Sequence, residues 1–306
     1  MSGDSGPPSS HRIAWIGEGA GGAAAQADCG RWGSPEDLCL PLADRGLLLA
    51  DGLFETVLVG RGRPRLLGPH LRRWRESAGL LGMALPPAAE ALEPLLQEAI
   101  VRAGLAVEGC GALRLNWSRG TGTGRGLELP AEGSPETPPH RFWLQLTPMV
   151  PAFTPVRVLV SRWERRNATS RLSRCKTFAY GPSIQARREA RRASCDDALL
   201  LSTAGGLCCG TAANLLVRRG ERWLTPPLAS GCLPGVMRQR ALEAGLAEEA
   251  DLPLEDLLAA STGARTGGTA ALLLNSLGCR PLAEVEGQAL PASALEAQQL
   301  WRSLLD

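Results

Sequence analysis

The residue with the clearest chemical potential is a lysine, because the chain contains only one. Lysine and arginine together number 33 among the 306 residues, and Lys176 is the single lysine. A lysine amine can form an imine with a carbonyl compound, whereas an arginine guanidinium stays protonated and cannot. The only tyrosine, Tyr180, follows shortly after it. This pair predicts a site in which Lys176 is the covalent nucleophile, although codon bias could also leave a single lysine by chance.

Two segments have the features of a phosphate site. A Pro-Gly pair at 234–235 begins a predicted helix. The backbone N–H groups of Val236 and Met237 would lack partners there, and the helix dipole favours an anion. Arg73 lies in the basic segment HLRRWRESAG, where it could bind a phosphate or cover a solvated helix face. Each feature alone is common, so neither identifies a site by itself.

The segment RGTGTGRG at 119–126 has the composition of a carboxylate-binding loop. Arg119 and Arg125 flank its glycines, whose backbone amides are not shielded by side chains. It is not a dinucleotide fingerprint, because no strand–helix–strand unit with a suitably spaced acidic residue follows it. The loop predicts a small-molecule carboxylate substrate, and a flexible surface loop is the alternative.

Strand and helix patterns alternate along the whole chain. Leu71, Trp74, Ala78 and Leu81 recur at three and four residues, which is typical of an amphipathic helix. The predicted helices span 68–83, 86–104, 182–193, 234–246 and 291–305, and the predicted strands span 13–20, 46–60, 112–118, 142–148, 156–161, 197–202 and 270–276, with a hairpin around Gly220 in 212–226. This alternation predicts an α/β (α+β) protein.

The length predicts two domains, because a single core stops growing near about 250–300 residues. A polar, breaker-rich start predicts a loose tail over 1–12. The Pro-rich stretch 149–155 predicts a linker. We therefore expect a smaller N-terminal α/β domain over 13–148 and a larger C-terminal domain over 156–306.

Composition argues against several classes of partner. The net charge is +2 and aromatic residues are few, so no nucleic acid is expected. No apolar run reaches the ~18 residues that span a bilayer. The start MSGDSGPPSS does not have the pattern of a signal peptide. The nine cysteines include no CxxC pair, which predicts reduced thiols, no metal site and a cytoplasmic location.

Several segments, taken in order and spacing, carry a family resemblance over most of the chain. They are DRGLLLADGLFETV (44–57), HLRRWRESAGLLG (70–82), SRGTGTGRGL (118–127), KTFAY (176–180), ARREARRASCDDALLLS (186–202), GTAANLL (210–216), TPPLASGCLPGVMR (225–238) and LLLNSL (272–277). On these residues the chain resembles the class IV aminotransferase family, the fold-type IV enzymes that use pyridoxal 5′-phosphate (PLP). The segment 118–127 is similar to the loop of the lyase branch of that family.

The resemblance implies a role for each matching residue. Lys176 would carry PLP as a Schiff base and move the proton, and Tyr180 would lie near the phenolic oxygen. Arg73 would bind the phosphate. Leu233 would pack on the ring, and Val236, Met237 and Ser276 would contact the phosphate. The family architecture further implies a cofactor site between two domains, and a homodimer whose site is completed across the interface.

The sequence departs from the family pattern at three places. Cys209 stands where the family has a glutamate beside the pyridine nitrogen, and no acidic residue lies between Asp197 and Glu221 to replace it locally. Met237 stands where a hydroxyl is frequent, and the stretch 261–269 looks like a rewritten loop. A thiol with a pKa near ~8.5 is a poor partner for a protonated ring nitrogen. Cys209 therefore predicts a weak electron sink, which suits elimination better than transamination.

Three functions follow as expectations. The first is PLP-dependent elimination of pyruvate from 4-amino-4-deoxychorismate to give 4-aminobenzoate for folate synthesis, which the loop at 118–127 favours. The second is a class IV aminotransferase for a branched-chain or D-amino acid. The third is a non-catalytic PLP-fold protein, which the replacement of the family glutamate by Cys209 keeps open.

Overall fold

A computed structural model describes residues 11–17, 29–121, 126–129, 140–258 and 270–305. The chain divides into two compact units. The first unit is Met1–Val150 together with Lys176–Phe178, and the second is Pro151–Cys175 together with Ala179–Asp306. The division falls at the Pro-rich stretch. Residues 176–178, which we had placed in the second domain, belong to the first unit because their main chain pairs with a strand of that unit.

The first unit is built on an antiparallel sheet. Its described elements are β1 (Ile13–Gly17), β2 (Gly30–Gly33), α1 (Arg45–Leu49), β3 (Gly52–Gly60), β4 (Arg63–Pro64), α2 (Leu67–Leu80), α3 (Ala89–Arg102), β5 (Cys110–Ser118) and β6 (Arg141–Met149). The strand order is β2-β1-β6-β5-β3-β4. The long strands β3, β5 and β6 therefore lie side by side in the middle of the sheet.

The segment before β3 is a helix, although we predicted one strand over 46–60. The carboxylate of Asp44 caps this helix by accepting a hydrogen bond from the N–H of Gly46 at 2.8 Å. Ala50 ends the helix in the left-handed conformation, with φ of 55°. The prediction was right for β3 and wrong for 46–49, because an aspartate cap stabilises a helical turn that an apolar run does not reveal.

Helix α2 packs against β3 and supplies much of the core on that side of the sheet. Its buried residues include Leu71, Trp74 and Ala78, which have the spacing that predicted the helix. The same face also buries His70 and Arg73, two polar residues that need hydrogen-bond partners in an apolar setting. A charged side chain on the core face of a helix is unusual and marks this region as a candidate site.

The second unit contains a larger, mixed sheet. Its described elements are β7 (Val156–Arg166), α4 (Gly181–Arg192), β8 (Asp197–Ser202), β9 (Leu207–Gly210), β10 (Asn214–Arg219), β11 (Arg222–Thr225), α5 (Val236–Glu243), β12 (Ala247–Glu249), α6 (Leu254–Leu258), β13 (Ala271–Asn275), β14 (Gly278–Val285), β15 (Gln288–Ala289) and α7 (Ala294–Ser303). The order is β12-β11-β10-β13-β14-β7-β8-β9, with β15 paired to β14. β7 runs parallel to both of its neighbours.

The sheet of the second unit closes on itself. β9 pairs with β8 and also with β10, so that β10, β13, β14, β7, β8 and β9 form a ring. The closing pair is Cys209 on β9 with Asn214 on β10, and Cys209 also pairs with Leu200 on β8. Cys209 thus has a strand on both sides, which fixes its backbone tightly.

Helix α4 covers one side of β7 and β8 and buries Ala186 and Ala190 against them. The predicted helices over 182–193 and 234–246 are confirmed as α4 and α5, and the hairpin around Gly220 is confirmed as β10 and β11. We did not predict β9 or β14, which lack a clear alternation of apolar and polar residues. Among the described residues, no helix is both long enough and apolar enough to cross a membrane.

Candidate functional site

The backbone of Lys176 is fixed by the start of β3 in the first unit. The N–H of Phe54 donates to the carbonyl of Lys176 at 2.9 Å, and the N–H of Phe178 donates to the carbonyl of Gly52 at 3.0 Å. Gly52 leaves room for the ring of Phe178, which a Cβ at 2.2 Å would displace. These contacts hold the main chain of Lys176 against β3, the strand that also carries Glu55.

The side chains of Lys176 and Arg114 share one aromatic ring. The Nζ atom of Lys176 lies 4.5 Å from the centroid of the Phe54 ring, and the guanidinium carbon of Arg114 lies 3.5 Å from it. Asn116 accepts a hydrogen bond from Nε of Arg114 at 2.7 Å and helps to orient it. Cations are attracted to an aromatic face, so Phe54 brings a guanidinium close to the lysine amine. Arg114 was missed by our sequence reasoning, because only the pairing of its strand with β3 brings it to this ring.

A buried ion-pair cluster lies on β3 and α2 beside this lysine. Nε of Arg73 donates to Oε1 of Glu55 at 2.8 Å, and a second guanidinium nitrogen donates to Oε2. His70 contacts Oε2 of the same carboxylate through Nδ1 at 2.7 Å. The side chain of Glu55 is 1% exposed and that of Arg73 is 9% exposed. The predicted phosphate residue Arg73 is therefore held in a fixed orientation by Glu55, which our sequence reasoning did not select.

The charges of this cluster follow from its burial and its partners. Burial alone would raise the pKa of Glu55, but Arg73 and the hydrogen bond from His70 outweigh it and lower the pKa to about 2. Burial lowers the pKa of His70, and the opposing attraction of Glu55 does not reverse this. His70 is thus neutral and donates its Nδ1 proton to the Glu55 carboxylate. The negative charge of Glu55 and the positive charge of Arg73 then cancel within the cluster.

Arg119 has a structural role in the first unit. Its Nε donates to Asp51 at 2.9 Å, and its two terminal nitrogens donate to the carbonyls of Gly82 and Leu81 at 2.8 and 2.9 Å. All three guanidinium nitrogens of Arg119 thus donate to acceptors of the protein itself. The substrate contact of Arg119 stays a prediction, for a guanidinium that already has three protein partners. The second predicted substrate residue, Arg125, and the stretch 261–269 lie outside the described residues.

His140 lies beside Arg119 and predicts a pH dependence of stability. Burial, then repulsion by Arg119, lower the pKa of His140 to about 4, and Asp51 opposes this only in part. The unfolded chain binds the proton near pH 6.5, so folding stability should fall as the pH drops from about 6.5 towards 4. We expect a loss of roughly 1–3 kcal/mol over this range, measured by denaturant unfolding at pH 7 and pH 4.5.

His140→Gln should remove most of this pH dependence, because glutamine does not titrate. His11→Gln, at an exposed histidine, is the matched control and should leave the pH dependence in place. An unchanged difference between the two pH values in His140→Gln would show that another group is responsible.

Two adjacent thiols lie at the closing point of the ring in the second unit. Cys208 is fully buried and Cys209 is 7% exposed, and both lie in an apolar cluster with Ala186 and Ala190. The hydrogen bond with Cys208 and then burial raise the pKa of Cys209 well above its ordinary value. The Cys209 thiol is therefore neutral, and it offers a weak dipole where the resemblance implies a carboxylate.

The start of α5 has the geometry of an anion site. Nδ2 of Asn214 donates to the carbonyl of Leu233 at 2.9 Å, which holds the turn before the helix. A Cβ at Gly235 would lie 1.9 Å from Oδ1 of Asn214, so a larger residue would displace the side chain that holds this turn. No side chain caps α5, whose first residues are Val236 and Met237. The backbone N–H groups of this first turn can therefore serve an external anion.

The remaining predicted cofactor residues have clear places in the second unit. Tyr180 is the residue before α4, and its carbonyl accepts a hydrogen bond from the N–H of Ile184 at 2.9 Å. Ser276 lies in the turn between β13 and β14. α5 packs against β13, the strand that leads to Ser276.

Comparisons with known proteins identify the family of the chain. The model of the family described as amino-transferase class IV matches residues 52–285 of the chain. The chain therefore belongs to the class IV aminotransferase family. The match covers β3 at one end and β14 at the other, and so includes Lys176, Arg73 and Cys209.

Individual relatives carry both lyase and transaminase names. The bifunctional aminodeoxychorismate lyase/D-amino acid transaminase of Mycobacterium tuberculosis is 31% identical over 219 residues, which is 68% of this chain and 73% of that protein. The aminodeoxychorismate lyase of Bacillus subtilis is 27% identical over 215 residues, covering 70% of this chain and 71% of its own. A fold IV transaminase from Curtobacterium pusillum has a TM-score of 0.76 at 22% identity, covering 96% and 97% of the two chains, and it shows the fold alone.

These findings define the protein as a PLP-dependent enzyme with the two-domain architecture of the fold-type IV transaminases. The side chains of the described residues suit this cofactor. Lys176 offers the only lysine amine for the cofactor aldehyde. Arg73 offers a guanidinium to a phosphate, and the uncapped start of α5 offers backbone N–H groups.

Proposed function

We propose that this enzyme is a lyase that releases pyruvate from 4-amino-4-deoxychorismate and leaves 4-aminobenzoate for folate synthesis. The observation that carries the proposal is the neutral thiol of Cys209 where the family has a glutamate. A neutral partner supports protonation of the pyridine nitrogen poorly, and elimination from this substrate tolerates a weak electron sink because it ends in an aromatic ring. Relatives named as aminodeoxychorismate lyases support the same choice.

Each residue has a stated task in this proposal. Bound PLP supplies the electron sink for the carbon that loses its proton. The amine of Lys176 removes the proton from the ring carbon that bears the amino group. The C–O bond to the enolpyruvyl group then breaks, the ring becomes aromatic, and the enolpyruvate takes up a proton to become pyruvate. Arg73 and the N–H groups of Val236 and Met237 would hold the phosphate during these steps.

The other site residues would orient the ring and the substrate. Tyr180 would contact the phenolic oxygen, Leu233 would pack on the ring, and Ser276 would add a hydroxyl to the phosphate. We assign the substrate carboxylate to Arg114, because its guanidinium shares the Phe54 ring with the lysine amine. A guanidinium forms two parallel hydrogen bonds with a carboxylate, which would fix the position of the ring carbon to be deprotonated.

An aminotransferase for a branched-chain or D-amino acid is the second candidate. The name of the M. tuberculosis relative joins lyase and D-amino acid transaminase activities in one protein. The same Lys176 could move a proton in either reaction, so the choice depends on the electron sink and on the substrate. A non-catalytic protein with this fold is the third candidate, and Cys209 is the reason to test it.

Turnover of purified, PLP-loaded protein distinguishes these candidates. We expect 4-amino-4-deoxychorismate to give pyruvate and 4-aminobenzoate in equal amounts. D-alanine or leucine with 2-oxoglutarate should give keto acid more slowly. Transamination that is faster than the release of pyruvate from 4-amino-4-deoxychorismate would support the second candidate. No turnover of either kind by a PLP-loaded, folded protein would support the third. We also propose a cytoplasmic homodimer, to be checked by light scattering of the purified protein and by cell fractionation.

Cys209→Glu should shift the balance of reactions towards transamination. A carboxylate beside the pyridine nitrogen favours its protonated form, and each pKa unit of stabilisation corresponds to about tenfold in an equilibrium. We therefore expect the ratio of transamination to pyruvate release to rise roughly tenfold. The absorbance spectrum of the bound cofactor should change as well, which provides a reading that does not depend on turnover.

Cys208→Ser is the matched control, because it alters the neighbouring thiol without adding a charge. It should leave the product ratio within about twofold of the parent. A buried carboxylate is costly without its partner, so refolding is carried out with PLP present and folding is checked by melting. A well-folded, PLP-loaded Cys209→Glu with the parent spectrum and product ratio would show that residue 209 does not contact the ring nitrogen.

A further inference from the structure

An arginine-rich pocket lies along α4 in the second unit. It has a volume of about 580 Å³, and its lining includes Arg187, Arg188, Arg191, Arg192, Ile184 and Thr211. Among the residues that we assign to PLP, Tyr180 is the one that also lines this pocket. The described residues that line it do not include Lys176, Cys209, Val236 or Met237, and the proposed reaction assigns this pocket no role.

The four arginines form one face of the helix. Residues three and four positions apart in an α-helix are neighbours on its surface, and this spacing relates Arg187, Arg188, Arg191 and Arg192. The opposite face carries Ala186 and Ala190, which are buried against the sheet. Like charges at these spacings repel each other, so the arrangement costs stability unless an anion is present.

One arginine of the pocket is held in place by its neighbours. A terminal nitrogen of Arg187 donates to Oδ2 of Asp197 at 2.7 Å and to the hydroxyl of Thr211 at 2.6 Å. The Thr211 hydroxyl in turn donates to Oδ1 of Asp197 at 2.6 Å. This closed network gives the pocket a rigid wall, and the flat Arg187 guanidinium stays oriented without any ligand.

The other three arginines are not neutralised by the protein. Within the part of the chain that the structure describes, Arg188, Arg191 and Arg192 form no ion pair. Glu189, on the same helix, is turned away and accepts hydrogen bonds from Ser161 and from the backbone N–H of residue 162. Four guanidinium groups and the single carboxylate of Asp197 leave a net charge of +3 at the pocket.

We propose that this pocket binds a small polyanion with about three negative charges, carried by clustered phosphate or carboxylate groups. Guanidinium groups recognise both kinds of oxyanion through paired hydrogen bonds. The arginines occupy little more than one helical turn, which is about 7–8 Å along the axis at a rise of 1.5 Å per residue. That length suits a short phosphate chain or a tricarboxylate, and it is too short for a tract of nucleic acid.

Calorimetric titration of the PLP-loaded protein tests the proposal with two probes of different chemistry. Inorganic tripolyphosphate and citrate are titrated separately, with sulfate as the simple dianion. We expect one molecule of polyanion per chain, bound at least about tenfold more tightly than sulfate, and the tighter of the two probes identifies phosphate or carboxylate as the natural group. Because no lyase substrate is present, the result is independent of the proposed reaction.

Charge-reversal variants show where the polyanion binds. Arg188→Glu and Arg191→Glu should each weaken binding by tenfold or more. Arg171→Glu makes the same change of charge at an exposed arginine of this unit outside the pocket, and it should weaken binding by less than about twofold. Equal effects of Arg171→Glu and Arg191→Glu, or no saturable binding of either probe, would overturn the proposal. Tighter binding of duplex DNA or anionic vesicles, displaced by tripolyphosphate, would overturn the choice of a small ligand.

Discussion

Lys176→Ala should abolish turnover and covalent binding of the cofactor together. The chain has no other lysine, so borohydride reduction of the parent should place the pyridoxyl label on the peptide that contains residue 176. The variant has no lysine side chain left, so it should carry no pyridoxyl label after reduction. Loss of the proton-moving group alone costs about 10²–10⁴-fold in rate, and loss of the covalent link adds to this. Peptide mapping by mass spectrometry and a product assay measure the two effects.

Lys176→Arg is the control that separates chemistry from charge. It keeps a cation that can lie over the Phe54 ring, but a guanidinium cannot form the imine. We therefore expect this variant to melt close to the parent in the absence of PLP and to lack both label and turnover. A PLP-loaded parent without label on Lys176, or a Lys176→Arg variant with parental turnover, would contradict the assignment of the cofactor.

The sequence predicted residues that stand out by their type or their motif. It did not predict residues that join the candidate site only through the pairing of strands. Lys176 and Cys209 were predicted because one is unique in type and the other interrupts a motif. Arg114 and Glu55 were missed, because a single charged residue in a strand has no local pattern that separates a site from a surface. Their importance depends on which strands become neighbours, and that pairing is decided by the whole sheet.

Arg119 shows what the composition of a loop leaves undecided. Its place in a glycine-rich loop predicted a substrate contact, whereas the structure uses its guanidinium for Asp51 and two carbonyls. The composition of the loop indicated which ligands the segment could bind. It did not indicate which protein groups lie within hydrogen-bond distance of Arg119. The helix at 45–49 was missed for a related reason, since the capping role of Asp44 is visible only once the turn exists.

The fold as a whole was easier to predict than the site. Amphipathic spacing located α2, and the turn at Gly220 located the hairpin of β10 and β11. The short strand β9 carries no such pattern, yet it closes the ring of the second unit and fixes Cys209. A prediction of the fold class rests on the alternation of many elements, so an error in one element does not change it. A prediction of the site rests on a few contacts, so one misplaced element is enough to lose it.

Glu55→Ala should strongly destabilise the protein without PLP, because it leaves the buried guanidinium of Arg73 without its carboxylate. Breaking a buried ion pair by removing one partner costs about 3–5 kcal/mol. Glu76→Ala removes an exposed carboxylate from the same helix as Arg73 and should cost no more than roughly 0.5 kcal/mol. Urea unfolding of both variants and the parent measures the difference.

The phosphate of PLP should rescue part of this loss, because it returns a negative charge to Arg73. The stability gap between Glu55→Ala and the parent should therefore be smaller with PLP bound than without it. Equal gaps in the two states would mean that Arg73 serves the fold and does not reach the phosphate. The low pKa of Glu55 sets the pH window for the comparison: its contribution is complete above about pH 4.5 and is lost as the pH falls towards 2, so pH 7 is suitable.

The double variant Glu55→Leu with Arg73→Met separates the structural role of the pair from its role in binding phosphate. Replacing a buried ion pair by apolar residues of similar volume is often neutral or stabilising, so the double variant should regain most of the stability that Glu55→Ala loses. His70 then loses its acceptor, which leaves one unsatisfied donor at a cost of about 1–3 kcal/mol. Loss of a charge-assisted contact to phosphate, at roughly 1.5–3 kcal/mol, should still weaken PLP binding about tenfold to a hundredfold. A stable double variant that binds PLP as tightly as the parent would show that Arg73 does not hold the cofactor, and the phosphate would then have to be assigned to the start of α5 and Ser276.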